Sequence, residues 1–154
     1  MTAVDDRPAS EVGTARKRKE DARLITGRTK WTDNIQLPGM LHLAMVRSPF
    51  AHATIDAIDT SAAAASPGVI AVFTGADLAD SQGVNINAWP IAPDQVTPTH
   101  LPVAVERVAC AGEIVAVVAA RSAAAARDAV ELVDVEWGEL AAVLDLKEAA
   151  ADTV

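Results

Sequence analysis

The alternation of apolar and polar positions divides the chain into short apolar runs separated by turn residues. After Pro38 and Gly39, Leu41, Leu43 and Met45 recur at a spacing of two on one face, which predicts a strand from about Met40 to Arg47. Ser48-Pro49 ends it. In "ATIDAIDTS" Ile55 and Ile58 alternate imperfectly with Asp56 and Asp59, and Thr60 or Ser61 then offers a helix N-cap. The alanines that follow hold one or two helical turns, closed by Pro67 and Gly68. "VIAVFTG" resumes as an apolar strand and "ADLAD" as another helical turn.

The segment "IVAVVAA", residues 114 to 120, is a continuous valine-rich run too short for a helix, which predicts a strand covered on both faces. Ser122 is placed to cap "AAAARDAVEL", where Ala126, Val130 and Val133 form an apolar stripe and Arg127 and Asp128 face water. "LVDVEW" then sets Val133, Val135 and Trp137 against Asp134, Glu136 and Gly138, the alternation of a half-buried strand. Strand, capped helix and strand suggest a crossover unit, for which a right-handed parallel connection is the geometric default. "VLDLKEAAAD" fits a closing helical turn. From Ser81 to Leu101 the periodicity dissolves among Pro90, Pro93, Pro98, Gly83, Asn85 and Asn87, with Pro102 just beyond, which predicts a long loop. The expectation is one two-layer α/β domain.

Composition narrows the function classes. Of 154 residues 51% are hydrophobic, enough for a real core, but the aromatic set is only three Trp and two Phe, poor material for stacking nucleic-acid bases. The net charge of -8 is unevenly shared, because residues 1 to 30 carry eight basic and five acidic side chains and the remainder is strongly acidic. A polyanion is repelled by most of the body, so no nucleic acid is expected as partner. "ARKRKEDARLITGRTK" is the densest charge run and is expected to be a flexible arm or a short solvated helix, the alternative being a surface that docks a partner. The N-terminal residues lack a secretory pattern and no run reaches the length of a membrane span, so a cytoplasmic protein with no membrane partner is the expectation.

Candidate chemistry is sparse. One Cys excludes an internal disulfide, and His42, His52 and His100 lack the spacing of a metal site. Cys110 sits between alanines ahead of an apolar strand, where it reads as a small core residue rather than a nucleophile. Gly112 supplies backbone freedom there, with the Glu113 carboxylate at the rim. "RSPFAHATI" invites His52 as a general base with Arg47 as an anion clamp, but the nearest carboxylate is Asp56 across a loop, which favours a structural role for His52. No glycine-rich phosphate loop and no G-x-S-x-G elbow is present. The site expectation is therefore no catalytic, no cofactor-binding and no metal residue.

The segments "EDARLITG", "LPGMLH", "RSPFAHA", "SPGVIAVFTGADL" and "AARDAVELVDVEW", in that order, give the chain a resemblance to the N-terminal α/β hammerhead domain of molybdenum hydroxylase large subunits. That family includes xanthine dehydrogenase, aldehyde oxidase and aerobic carbon monoxide dehydrogenase. The resemblance covers most of residues 18 to 149 and implies a mixed sheet with short crossover helices. It departs from the family pattern at Phe50, where histidine is frequent, at Ile114, where proline is common, and in "WGELAAV". It implies an organisation of flexible arm (1–17), hammerhead domain (18–150) and tail (151–154). It also implies a non-catalytic scaffold role, because the family's molybdopterin loops and metal-proximal glutamate lie in the region that follows this domain. Molybdopterin, iron-sulfur clusters and FAD are then expected only in the complete oxidoreductase, with the catalytic region and other subunits as partners. The alternative of another class is a free-standing small α/β module that binds a protein or ligand.

Overall fold

The computed structural model describes residues 15, 17–83 and 100–151. Arg16 and the Pro90, Pro93 and Pro98 loop expected from the sequence, across 84–99, lie outside the described residues. The chain forms two compact units, residues 1–38 and 39–154. In the first, a short helix α1 (Asp21–Ile25) is followed by a single 3-10 turn at Thr32–Asn34. Arg18 bonds the Asp21 carboxylate through both its amide and its guanidinium, at 3.0 and 2.8 Å, an exposed pairing of modest worth.

Among the described residues, the second unit contains two three-stranded antiparallel sheets. In one, β5 (Ile114–Ala120) lies between β1 (His42–Arg47) and β3 (Val69–Thr74). In the other, β2 (Ala53–Asp59) lies between β4 (Arg107–Val108) and β6 (Asp134–Glu139). The strand positions expected from periodicity are occupied, and "IVAVVAA" is the whole of β5. It is the central strand of its sheet, which explains why its sequence does not alternate: its residues on both faces are buried or half-buried.

The expected parallel crossover is not formed. Both edges of β5 are taken by β1 and β3, so after helix α4 (Ala123–Val130) the chain passes to the other sheet and β6 pairs with β2 instead. Every strand pairing among the described residues is antiparallel. The α/β hammerhead class holds, while the mixed sheet is replaced by two antiparallel ones.

Ser122 caps α4 as its sequence position suggests, its Oγ accepting from the Ala125 amide at 3.1 Å, an interaction worth about 1 kcal/mol. The helix ends at Val130, so Val133 belongs to the following turn and not to the helical stripe; the fully buried pair is Ala126 and Ala129. Small side chains there let the helix approach the sheet closely. Ala129, Ala63 from helix α2 (Ser61–Ala64) and Val118 form one core cluster. Val46, Ala53, Ala104, Val108, Val115 and Ala116 form a second, against which Ile55, Val135 and Trp137 pack. Val130 and Val133 touch both clusters, so the turn after α4 joins the two halves of the core.

Helix α3 (Gly75–Leu78) begins in a reciprocal cap that the T-x-x-D spacing of Thr74 and Asp77 encodes. The Thr74 amide and hydroxyl donate to Asp77 Oδ2 at 2.8 and 2.7 Å, and the Asp77 amide returns a bond to Thr74 Oγ1 at 3.3 Å.

Candidate functional site

The polar residues singled out in the sequence gather around the turn that feeds β5. Gly112 turns the chain with φ +87°, a conformation L side chains rarely adopt, and its amide donates to the Ser48 carbonyl at 2.8 Å. The Ser48 amide donates to the Glu113 carbonyl at 2.9 Å, and Arg47 Nη1 donates to the Gly112 carbonyl at 2.6 Å. Arg47 therefore holds a backbone carbonyl of its own domain rather than standing as an anion clamp.

Glu113 lies inward of the rim position expected for it: only 8% of its side chain is exposed. Its Oε2 accepts from the Ala109 amide at 2.7 Å and its Oε1 lies 3.4 Å from His100 Nε2. The carboxylate ties the two ends of the turn together through the Ala109 amide.

Cys110 is exposed, contrary to its reading as a core residue. It stands in the turn and not in the strand, so the apolar run beside it in sequence does not cover it. Its Sγ lies 4.0 Å from Glu113 Oε2. An acidic neighbour is the opposite of the cationic setting that activates a thiol.

His52 is bonded to main chain through both its ring and its carbonyl. Its Nδ1–H donates to the Ala141 carbonyl at 2.8 Å, while its own carbonyl accepts from the Leu140 amide at 3.0 Å. Two bonds thus fasten the segment after β6 to the start of β2. Phe50 and Trp137 pack nearby as a tilted aromatic pair, ring centres 5.7 Å apart. Between these parts runs a groove of about 400 Å³, walled by Ala109, Cys110, His52, Ala141 and Leu144 among others. His42 stands apart on β1.

What this arrangement can do chemically is hold backbone. Arg47, His52 and Glu113 each bond one main-chain partner, Glu113 facing the His100 ring as well, and no three His, Cys, Asp or Glu side chains among the described residues are placed to hold a metal. No helix among them is long and apolar enough to cross a membrane.

Two antiparallel sheets with short helices, one of them capped by Ser122 and another by Thr74, define an α/β domain class. Residues 26–141 match the family described as aldehyde oxidase and xanthine dehydrogenase, a/b hammerhead domain, and the chain belongs to that family. The nicotine 6-hydroxylase large subunit of Paenarthrobacter nicotinovorans is 45% identical over 134 residues, 87% of this chain and 16% of that protein. Among solved structures, quinoline 2-oxidoreductase from Pseudomonas putida 86 matches with a TM-score of 0.78 and 46% identity, over 91% of this chain and 18% of that one. The Cu,Mo-CO dehydrogenase in its carbon monoxide reduced state matches with a TM-score of 0.74 and 39% identity, over 89% of this chain and 16% of that one. The chain thus spans less than a fifth of the length of these relatives.

Among the described residues, those that line this groove do not fit a molybdenum–pterin group. The groove beside Cys110 is lined by alanines, Val143 and Leu144, and its one histidine is committed through Nδ1 to a carbonyl. It contains no arginine or lysine to meet a phosphate.

Proposed function

We propose that this chain is the non-catalytic assembly domain of a molybdopterin-dependent hydroxylase, of the xanthine dehydrogenase or carbon monoxide dehydrogenase large-subunit type. Its partner in this reading is the molybdopterin-binding catalytic region, with iron-sulfur clusters and FAD on further subunits or domains and a cytoplasmic setting. Residues 18–150 form the working domain.

The observation that supports the reading most directly is the use of Arg47, His52 and Glu113. Arg47 and His52 resemble an anion clamp and a base in the sequence, yet both bond to backbone of their own domain, as the Glu113 carboxylate does. A domain so arranged contributes shape and contact surface, while the relatives carry more than four-fifths of their length elsewhere. The test is to purify the chain alone and co-produced with the molybdenum-binding region. The chain alone is expected to contain no stoichiometric molybdenum and to turn over neither aldehydes nor N-heterocycles; the co-produced pieces are expected to copurify. Turnover by the isolated chain, or failure of the pieces to associate, would reject the proposal.

A further inference from the structure

The chain leaves β6 through a segment that the rest of the domain barely holds. Residues 140–145 form no regular secondary structure, and every residue from Leu140 to Ala151 is exposed, Leu144 at 88%. Helix α5 (Leu146–Ala150), which follows, buries no residue and is capped from within, Asp145 Oδ1 accepting from the Lys147 and Glu148 amides at 2.7 and 3.2 Å. Among the described residues, the hydrogen bonds that tie 140–144 to the domain both go to His52. Its carbonyl accepts from the Leu140 amide at 3.0 Å, which extends the pairing of Ala53 with Glu139 by one step. Its Nδ1–H donates to the Ala141 carbonyl at 2.8 Å, and beyond that point the chain bonds only to itself. The same segment borders the groove described above: Ala142, Val143 and Leu144 line it together with Ala51, Cys110 and Ala111 from the β1–β2 and β4–β5 turns.

We infer that residues 140–144 are a strap that opens and closes over this groove, and that the His52 imidazole is its latch, a positioning residue that acts on the strap alone. Three features carry the inference. The post is fixed, because the next residue, Ala53, is fully buried and pairs with both Val108 and Glu139. The grip is weak, because Ala141 and Ala142 offer little apolar area and meet a wall of alanines. The latch is a single bond, and one net intramolecular hydrogen bond shifts an equilibrium by roughly two- to tenfold. Such a strap is released by local opening, with the sheets intact. Cys110 lies on the opposite wall of the groove, so the latch sets how bulky a molecule reaches the thiol from that side.

The experiment is thermolysin digestion of the native chain, His52→Ala and His52→Asn in low urea, with the cut bonds identified by mass spectrometry. Cleavage before Val143 and Leu144 is expected to be at least about threefold faster in His52→Ala, which loses the latch and keeps the Leu140 bond. His52→Asn, whose side-chain amide offers an N–H where Nδ1 stood, is expected to return the strap close to the native rate. Bonds within β5 are expected to keep the native rate in both variants. Labelling of Cys110 by a bulky maleimide is expected to accelerate with strap cleavage, in His52→Ala and not in His52→Asn. A strap rate in His52→Ala within about twofold of native overturns the latch. So does an acceleration shared equally by β5, which makes His52 a residue of general stability only, or a His52→Asn chain no slower than His52→Ala. Should His52→Ala not fold, the native chain decides by its urea dependence. Strap cleavage that hardly changes with urea while β5 cleavage rises steeply supports the strap, and the same steep dependence at both places overturns it.

Discussion

Gly75, the first residue of α3, presses against the carbonyl of Ala104, and a Cβ on Gly75 would collide with that oxygen and lie 2.6 Å from the carbonyl carbon. Gln82 reinforces the approach: its Nε2 donates to the Gly75 carbonyl at 3.3 Å and its Oε1 accepts from the Val103 amide at 3.0 Å. Val103 and Ala104 are both buried, and the Ala104 amide donates to the Ile114 carbonyl at 2.8 Å. The glycine therefore sets how closely α3 sits on the segment that leads into β4.

Gly75→Ala is expected to destabilise the chain by about 1–3 kcal/mol, because the obstacle is backbone that cannot rotate away. Gly83, with open space around its Cβ position, is the control, and Gly83→Ala is expected to stay within about 0.5 kcal/mol of the native chain. Urea unfolding followed by circular dichroism compares the two.

Because Cys110 is exposed in its turn, the folded chain is expected to react with a disulfide reagent at a rate close to that of the urea-unfolded chain. Cys110→Ala is expected to change stability by less than about 0.5 kcal/mol, as for other surface positions. Labelling slowed a hundredfold by folding would restore the buried reading.

Glu113 is expected to matter through its bond to the Ala109 amide. Glu113→Ala removes the acceptor and is expected to cost about 1–3 kcal/mol, whereas Glu113→Gln keeps an oxygen there and is expected to lose less. Thermal melts of both variants at neutral pH order them.

Stability is expected to fall with acid through two carboxylates. Bonds from the Ser61 amide and hydroxyl lower the Asp59 pKa below its ordinary 3.8, and bonds from the Thr74 amide and hydroxyl do the same for Asp77. Both groups prefer the charged form in the folded chain, so their contribution is complete above the unfolded value and is lost as pH drops through the lowered folded values. Urea midpoints are expected to decline below about pH 4, with a shallower decline for Asp59→Asn/Asp77→Asn. An identical acid profile for the double variant removes these groups as its cause.

Much of the local structure was legible because it depends on neighbours in sequence. Ser122 ahead of an alanine run, Gly39, Gly68 and Gly112 at positive φ, and the valine-rich run of β5 are short-range signals, and each stands where the pattern places it. The Thr74 and Asp77 cap was equally readable from its spacing but takes its meaning from the strand before it. The family-like segments carried the domain class, because they record packing that periodicity alone does not reveal.

Tertiary structure decided the rest. Which strand pairs with which depends on the edges left free, so β6 joins β2 although a helical crossover beside β5 fits the same sequence. Alternation in β1 gives two faces but not which is covered; Val46 turned inward and Leu43 outward because α4 packs on that side of the sheet. Cys110 and Glu113, three residues apart, exchanged their expected places, the thiol exposed and the carboxylate drawn in. A turn's exposure is set by the distant Ser48 and Arg47 bonded across it, and no local pattern carries that distance.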